Sequence, residues 1–271
     1  NFNYFYNFNL KKNFLIEDEE NFLIIYGNIF SIDNIEIQKN EEINKVVFQL
    51  LKKKSFEYVL KKIEGDFSLI FFSKKKKNLY FSRDLFGVSP LYFFKNKQKL
   101  VISSKPSLIF NYGFTANLVR KEYLYRYAGL HYRLIDNNPH ISPFKNIEQL
   151  PASKYAKYNL VSQKLDIIQY WNLEKTSLTT STNERELSEI YLEILKESVK
   201  KRVSKKGKKI FSISGGLDSS SILCLASDAL NEKVDSYSVT YDDQEYDERS
   251  EIQDITSLRS KKWHNFEIKT K

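Results

Sequence analysis

A run of seven residues combines small, hydroxyl-bearing and acidic side chains at a spacing that suits the binding of a phosphate group. The run consists of Ser214, Gly215, Gly216, Leu217, Asp218, Ser219 and Ser220. Its two glycines permit a tight turn and let the backbone approach a ligand closely. If a helix follows, its first N–H groups and its dipole favour an anion at this point. Asp218 beside a phosphate needs a divalent cation between them, which makes it a candidate Mg²⁺ ligand.

The run differs from the nucleotide-binding loop that ends in Gly-Lys-Ser or Gly-Lys-Thr, because no lysine follows the glycines. A glycine-rich turn whose serines and aspartate only cap the next helix is the structural alternative. The flanking pattern favours phosphate binding, since apolar strand-like residues precede the run and a helical apolar pattern follows it.

The elements that position this run alternate between strand and helix over the last third of the chain. The pattern predicts strands over 209–212, 234–241 and 264–268, and helices over 219–230 and 247–258. Such alternation is typical of a parallel sheet with helices on its faces. Asn183 and Glu186, three positions apart, predict the capped start of a further helix before the first of these strands.

The first half of the chain has a different pattern, with short strands rich in aromatic and β-branched residues. It predicts an α+β region of antiparallel hairpins around a helical segment over 41–62. Gly65-Asp66 is expected to end this helical segment, and Gly27 is expected to separate two strands. A polar Thr and Ser stretch indicates a linker, so the sequence predicts domains over 1–172 and 184–271 joined by residues 173–183.

Composition excludes several classes of protein. The 271 residues are 41% hydrophobic, which excludes a wholly disordered chain, and the one cysteine excludes a disulfide framework. No apolar run is long enough for a membrane-spanning helix, so we expect a cytoplasmic protein with no membrane partner. The net charge of +9 comes from lysines in short runs, which we interpret as solvated surface, and we expect no nucleic-acid partner. His131, His140 and His264 are too scattered for a zinc site.

The seven-residue run resembles the pyrophosphate-binding loop of the ATP-pyrophosphatase (PP-loop) superfamily, and more narrowly that of the asparagine synthetase class. Other stretches that resemble this class are 65–68, 83–92, 150–153, 170–171, 239–241, 246–249 and His264. The resemblance implies an α+β glutaminase-like (Ntn-type) sandwich domain followed by the start of an α/β parallel-sheet synthetase domain. It also implies that ATP is cleaved to AMP and pyrophosphate with Mg²⁺, and that Ser238, Val239 and Thr240 lie on the adenine side.

The chain departs from this class at its front. The glutaminase of the class uses an amino-terminal cysteine, whereas residue 1 is Asn and the only cysteine, Cys224, is expected in the core of a helix. The Asn-Gly-Glu turn that binds glutamine in the class corresponds here to Tyr26-Gly27-Asn28. Glutaminase activity is therefore expected to be lost, unless residues before Asn1 supply the nucleophile. A front domain degenerate in this way resembles that of β-lactam synthetases and lasso-peptide cyclases.

A second departure lies at the other end of the chain. In the class, the synthetase domain continues and supplies a further metal ligand and a lysine. Those catalytic residues are therefore expected beyond Lys271, or on a second chain that supplies the rest of the domain. We expect the isolated 271-residue chain to turn nothing over.

Charged residues outside the run have structural and functional interpretations. Asp243, Asp247 and Glu248 suit a helix start, where the dipole favours negative charge, or a contribution to the ATP–Mg²⁺ site. Arg83 and Asp84 are expected to form a structural ion pair in a turn.

The leading functional prediction is an ATP-dependent amide-forming ligase, which adenylates an aspartate-type carboxylate that an amine or ammonia then attacks. A lactam or lasso-peptide macrolactam synthetase, acting on a small-molecule or peptide carboxylate, is the first alternative. A tRNA-modifying PP-loop enzyme, to which the basic charge would be relevant, and a remnant that binds without catalysing are the others.

Overall fold

The computed structural model describes residues 15–33, 35–36, 40–129, 138–173, 183–203, 207–243 and 247–269, without the side chains of residues 36, 40 and 41. The chain divides into two compact units, a front unit of residues 1–175 and a rear unit of residues 176–271. Most of the predicted linker over 173–183 lies outside the described residues, as does His131. Among the residues described, no helix is long and apolar enough to cross a membrane.

The front unit is built mainly from antiparallel strands. Its strands are β1 (Leu15–Glu17), β2 (Asn21–Ile32), β3 (Ile35–Glu36), β4 (Ile63–Ser73), β5 (Asn78–Arg83), β6 (Tyr92–Lys95), β7 (Leu100–Ser103), β8 (Ile147–Gln149), β9 (Lys154–Asn159) and β10 (Leu165–Gln169). Its helices are α1 (Asn40–Lys53), α2 (Phe56–Leu60), α3 (Pro106–Asn111) and α4 (Lys121–Gly129). One sheet has the order β1-β2-β4-β5-β9-β10 with β3 paired to β2, and a second has the order β7-β6-β8.

Both faces of the larger sheet are covered. Buried Ile43 of α1 and Val59 of α2 share an apolar cluster with Leu69 of β4. The next cluster contains Phe81 of β5 and Phe93 of β6, whose ring centroids lie 5.6 Å apart. Because neighbouring residues of a strand point to opposite faces, helices lie on one side of β5 and the smaller sheet lies on the other. The front unit is thus a mixed α/β structure dominated by antiparallel hairpins, as the sequence predicts.

The strand and helix boundaries predicted at two glycines of this sheet are wrong. Strand β2 runs unbroken through Gly27, and β4 begins at Ile63, so Gly65-Asp66 lies inside a strand and does not end a helix. The two strands approach too closely for side chains here: a Cβ at Gly65 would lie 2.3 Å from the Asn28 carbonyl oxygen. Gly27 has φ +104°, and a Cβ there would lie 2.2 Å from the Asp66 carbonyl oxygen. The glycines mark a close backbone approach within the strands, which sequence alone does not distinguish from a turn.

The rear unit alternates strand and helix as predicted. Its elements are α5 (Glu184–Val203), β11 (Ile210–Ser212), α6 (Leu217–Leu230), β12 (Val234–Tyr241), α7 (Arg249–Arg259) and β13 (Ser260–Ile268). The three strands form a parallel sheet in the order β11-β12-β13, which confirms the predicted strand direction. Helix α6 begins two residues earlier than expected, within the serine-rich run, and β13 begins at Ser260 instead of near His264.

Helices cover one face of this sheet. Leu223 of α6 and Ile252 of α7 form an apolar cluster with Ile213 and Val234. Helix α5 packs on α6 through Val199 and Val203, which meet Ala226. Residues on the other face of β12 and β13 are more exposed; Phe266, for example, is 59% exposed. The rear unit therefore holds its seven-residue run between a strand and a helix that are both anchored in one apolar layer.

Candidate functional site

The turn between β11 and α6, called the serine loop below (residues 214–220), has the backbone geometry of an anion-binding turn. Gly215 has φ +64°, a conformation that side chains disfavour. The Gly216 amide donates to the Ser214 carbonyl oxygen over 2.6 Å, which closes the turn. Gly216 is the N-cap residue of α6, and no side chain caps the helix there. The first N–H groups of this 14-residue helix are therefore without the capping side chain that usually satisfies them.

The three serine hydroxyls of the loop have different surroundings. The Ser214 and Ser219 hydroxyl oxygens lie 3.3 Å apart, and the Ser219 hydroxyl donates to the Gly216 carbonyl oxygen over 3.1 Å. The Ser220 hydroxyl oxygen is enclosed and has no hydrogen-bond partner among the described residues. Ser214 and Ser219 thus present polar atoms at the loop surface, whereas Ser220 points into the unit and would have to rotate to reach a ligand.

Asp218 and Leu217 lie on the open side of the loop. The Asp218 side chain is exposed, and Leu217 is 83% exposed. In the part of the chain that the structure describes, no three His, Cys, Asp or Glu side chains are grouped closely enough to hold a metal ion. Asp218 is therefore one carboxylate facing solvent, without a preformed protein cage around it.

The serine loop rests against the start of α7. A Cβ built on Gly215 would lie 3.2 Å from the Glu248 Cβ and 3.3 Å from the Glu251 Cβ. Glu248 precedes the helix, and its carbonyl oxygen accepts the Ile252 amide in the first helical turn. The Ser250 hydroxyl donates to Glu251 and holds the pKa of that carboxyl below its ordinary value. Two glutamates at this helix start thus border the loop through their Cβ atoms.

The adenine-side candidates on β12 divide between the two faces of the sheet. Ser238 and Thr240 are buried on the helix-covered face, where the Trp263 indole N–H donates to Ser238 and Asn265 exchanges hydrogen bonds with Thr240. Val239 is 52% exposed on the opposite face. The two hydroxyl side chains are therefore engaged inside the unit, and any contact of this segment with an adenine would use Val239 or backbone groups.

Sequence reasoning placed Arg249 in a resembling stretch but gave it no role. Its Nη2 atom donates to Glu267 Oε1 over 2.9 Å, at the far end of β13. The same atom lies 3.4 Å from the Tyr241 carbonyl oxygen and 3.5 Å from Thr240 Oγ1. Asp247, proposed as a helix-start acid, accepts the Arg249 amide over 3.2 Å. The sequence does not indicate a role for Arg249, because a basic residue at the first position of a helix is ordinary and its partners lie on strands elsewhere in the sequence.

In the front unit, the loop after β5, called the front loop below (residues 83–89), has nearly all of its polar groups paired with backbone. The Arg83 guanidinium donates to the carbonyl oxygens of Ser89, Leu150 and Gly87. Asp84 accepts the amides of Phe86, Val88 and Ser89 over 2.9 to 3.1 Å. The predicted structural role is therefore carried by separate sets of backbone partners and not by an ion pair in the turn.

Burial shifts the ionisation of this region. Burial lowers the pKa of the Arg83 guanidinium, against the opposing effect of the Asp84 charge. Burial also raises the pKa of the Tyr170 hydroxyl, which donates to the Arg83 carbonyl oxygen over 2.7 Å. Cys224, the only cysteine, is half-buried in α6 of the rear unit.

The geometry of the serine loop fits a phosphate that carries Mg²⁺. The uncapped amides of α6 and the Ser214 hydroxyl supply donors for phosphate oxygens, and the Ser219 hydroxyl adds one if it turns away from the Gly216 carbonyl oxygen. Mg²⁺ in proteins is commonly held by one or two carboxylates together with phosphate oxygens and water. Asp218 can supply one such carboxylate, so the residues suit a metal that arrives with the phosphate and not one bound alone.

Known protein families match both units of the chain. The model of the glutamine amidotransferase domain matches residues 13–171, and that of asparagine synthase matches residues 191–270. Asparagine synthetase [glutamine-hydrolyzing] 2 of Bacillus subtilis is 25% identical over 79% of this chain and 30% of its own length. An asparagine synthetase-type protein of Acanthamoeba polyphaga mimivirus is 27% identical over 78% of this chain and 37% of its own length.

Among solved structures, the glutamine phosphoribosylpyrophosphate amidotransferase of B. subtilis matches with a TM-score of 0.37 and 8% identity. That match covers 94% of this chain and 64% of the other. The chain spans about a third of the length of the two curated relatives it matches. The first family match covers more than half of the chain and the second covers the serine loop. The chain therefore belongs to the glutamine amidotransferase domain family and is an asparagine synthetase-like protein.

Proposed function

We propose that this chain is part of an ATP-dependent amide-forming ligase, in which the serine loop binds the pyrophosphate of ATP. The observation that carries the proposal is the uncapped start of α6 behind a glycine with φ +64°, inside the segment that matches asparagine synthase. In such a ligase a carboxylate attacks the α-phosphate of ATP, which forms an acyl-adenylate and releases pyrophosphate. An amine or ammonia then attacks the acyl carbon, which forms the amide and releases AMP. The catalysis asked of the loop is electrostatic, because negative charge grows on the departing pyrophosphate.

The roles of the loop residues follow from where they lie. Amides of the first turn of α6 and the Ser214 and Ser219 hydroxyls would donate to pyrophosphate oxygens. Asp218 would hold Mg²⁺ together with those oxygens, since its carboxylate is exposed at the loop surface. The backbone groups around Val239 would contact the adenine. An aspartate-type carboxylate is the proposed acyl substrate, by analogy with the asparagine synthetases named above.

The loop proposal can be tested on the chain itself by ¹⁵N-NMR titration, which detects weak binding. Addition of Mg²⁺ and pyrophosphate together should shift the amide resonances of Gly215 and Gly216, and Mg²⁺ alone should not. The variant Asp218→Asn should weaken the Mg²⁺-dependent part of binding about tenfold, equivalent to about 1.4 kcal/mol. Asp254→Asn, an exposed position on α7, is the matched control and should bind like the unaltered chain. Unchanged loop resonances at millimolar pyrophosphate would refute the proposal.

We also propose that the front unit, as these 271 residues form it, lacks glutaminase activity, so that the nitrogen comes from another donor. The only cysteine lies in α6 of the rear unit. The segment Tyr26-Gly27-Asn28 lies within β2, where it pairs with Ser68, Phe67 and Asp66 of β4. The test is release of ammonia from glutamine, with an active glutaminase as positive control. Hydrolysis by the 271-residue chain that survives Cys224→Ser would overturn this proposal.

Loss of the glutaminase favours a second candidate, a lactam or macrolactam synthetase whose amine belongs to the substrate. The two candidates differ in the substrates that should support turnover by the protein obtained from its native cell. Ammonia should support release of pyrophosphate with aspartate if the protein makes asparagine. Pyrophosphate release that needs an amino-acid or peptide substrate carrying both amine and carboxylate would favour the second candidate.

A further inference from the structure

Arg249, the first residue of α7, joins three separate elements of the rear unit. Its guanidinium donates to Glu267 at the end of β13 over 2.9 Å and approaches the Tyr241 carbonyl oxygen at the end of β12 over 3.4 Å. Its Nε atom is enclosed and lies 3.6 Å from Asp247 Oδ1, just before the helix. Arg249 therefore ties the carboxyl ends of two neighbouring strands to the start of a helix.

This position matters because of where the strands end. In α/β sheets, ligands bind outside the carboxyl ends of the parallel strands. The side chains of Thr240 on β12 and Asn265 on β13 exchange hydrogen bonds of 3.0 and 2.9 Å beside the guanidinium, and Glu267 is the register partner of Thr240. Their side chains and that of Arg249 form a connected polar cluster under the binding edge. A connected cluster of this kind holds its members in one geometry.

The same helix start supports the serine loop. Gly215 packs against Glu248 and Glu251 at distances that leave no room for a methyl group without displacement of these neighbours. Arg249 lies between these two residues in the sequence, on the first turn of α7. A shift of the helix start would therefore change the space available to Gly215, and with it the shape of the turn that aims the amides of α6.

We propose that Arg249 is a positioning residue for the serine loop. It holds the start of α7 against Gly215 through its bonds to Glu267 and to the end of β12, and so fixes the turn in its anion-binding shape. This inference deepens the proposed function and rests on it for the identity of the ligand. Glu267 shares the role, because its carboxylate receives the short hydrogen bond from the guanidinium.

The experiment compares Arg249→Met with Arg259→Met in the full chain. Arg259 lies at the other end of the same helix and pairs with Asp228, so the control also removes one ion pair from α7. Each variant is examined by ¹⁵N-NMR without ligand and then with Mg²⁺ and pyrophosphate. Arg249→Met should shift the ligand-free amide resonances of Gly215 and Gly216 and weaken binding about tenfold, whereas Arg259→Met should change neither.

Two further variants separate positioning from direct contact. Glu267→Gln should shift the same ligand-free resonances in the same direction, and the double variant with Arg249→Met should be no worse than the more affected single variant. Trp263 fluorescence during urea unfolding checks that the rear unit is folded in each. If Arg249→Met weakens binding but leaves the ligand-free loop resonances in place, Arg249 contacts the anion itself and the positioning proposal is wrong.

The outcomes also distinguish this inference from the proposed function. If the unaltered chain shows no response to Mg²⁺ and pyrophosphate, the proposed function fails. The ligand-free spectra still decide the positioning role, because they report the loop shape without a ligand. Should Arg249→Met prove unfolded, Glu267→Gln alone carries the test, and unchanged Gly215 and Gly216 resonances in that folded variant would overturn the inference.

Discussion

The front loop and the serine loop are both short, polar and glycine-containing, but their polar groups differ in burial and in hydrogen bonding. In the front loop, Arg83 and Asp84 are 6% and 1% exposed, and six hydrogen bonds connect them to backbone. In the serine loop, Asp218 faces solvent, Ser214 and Ser219 bond within the loop, and the helix start is uncapped. Saturated polar groups hold a fold together, whereas groups left at a surface are available to a ligand.

The contrast also separates two parts of a family resemblance that look equally strong in the sequence. Both loops lie in stretches that resemble the asparagine synthetase class, the front loop within the glutamine amidotransferase match and the serine loop within the asparagine synthase match. The pattern of partners indicates a packing role for the front loop, whereas the polar groups of the serine loop stay at the surface, as the proposed function requires. Substitutions in the front loop should therefore change stability, and substitutions in the serine loop should change binding.

The largest expected effect is that of Asp84→Ala. Removal of this carboxylate leaves three buried or half-buried amides without an acceptor, which should lower the free energy of unfolding of the front unit by about 3 kcal/mol. Urea unfolding followed by Trp171 fluorescence measures it, in a Trp263→Phe background so that only the front unit reports.

Asp166→Ala is the matched control in the same unit. Asp166 pairs with Lys164 over 2.9 Å in a largely exposed ion pair, so its removal should cost less than about 0.5 kcal/mol. Equal losses for Asp84 and Asp166 would show that the front loop does not depend on its buried carboxylate. That result would remove the contrast between the two loops.

The second prediction tests the serine loop with Gly215→Ala. Positive φ alone costs an alanine about 1 kcal/mol, and the contacts at 3.2 and 3.3 Å add crowding. We expect a total loss of about 2 kcal/mol from the rear unit. Trp263 fluorescence during urea unfolding, in a Trp171→Phe background, measures this loss.

Gly113→Ala is the control for backbone strain alone. Gly113 has φ +72°, and apart from its own chain neighbours no atom of the described residues lies within 4 Å of a Cβ built there. Its alanine variant should lose about 1 kcal/mol, the strain term only. If Gly215→Ala lowers the free energy of unfolding no more than Gly113→Ala does, the residues at the start of α7 move aside at little cost. They would then not determine the shape of the serine loop.

The sequence pattern predicted elements well where periodicity was uninterrupted. Strand β12 has the predicted bounds, and the parallel order of the rear sheet follows from the alternation of strand and helix. The predicted bounds failed at Gly27 and Gly65, because a glycine in a turn and a glycine at a close approach of two strands look the same in one sequence. Only the pairing with a second strand distinguishes the two cases, and that strand lies about forty residues away in the sequence.

The candidate site was predictable in its residues but not in its surroundings. Residue types placed Ser214 to Ser220 at the end of a strand, and the structure agrees. The inward direction of the Ser220 hydroxyl and the burial of Ser238 and Thr240 depend on which face the helices cover. Arg249 was missed because its partners, Tyr241 and Glu267, come together only when the two strands pair.

The third prediction concerns Tyr170, which supports the front loop from outside. Its hydroxyl donates to the Arg83 carbonyl oxygen, so Tyr170→Phe should leave a buried acceptor unsatisfied and cost about 1 kcal/mol. Tyr125→Phe, at a largely exposed tyrosine of α4, should leave stability unchanged. The difference in urea midpoint between these variants measures the contribution, and a shift of the same size in both would argue against it.

The smallest effect belongs to Asp18, a partly exposed counterpart of Asp84. Asp18 accepts the amides of Glu20 and Asn21 and pairs with Lys52 over 2.6 Å; the Lys52 hydrogen bond, the largest cause, lowers its pKa to about 2. A pKa below the unfolded value of about 3.9 means stability that is complete above that value and lost as the pH falls towards 2.

Asp18→Asn keeps a turn acceptor and removes only the charge, so it should cost less than about 1 kcal/mol at neutral pH, after allowance for solvent screening. The difference from the unaltered chain should shrink as the pH falls from about 4 to about 2. Urea unfolding at several pH values measures this difference. Lys52→Gln should cause the same loss of stability as Asp18→Asn, and the double variant should lose no more than either single variant. A loss as large as that of Asp84→Ala would mean that burial does not set the strength of a carboxylate–amide turn, which is the physical basis of the contrast between the two loops.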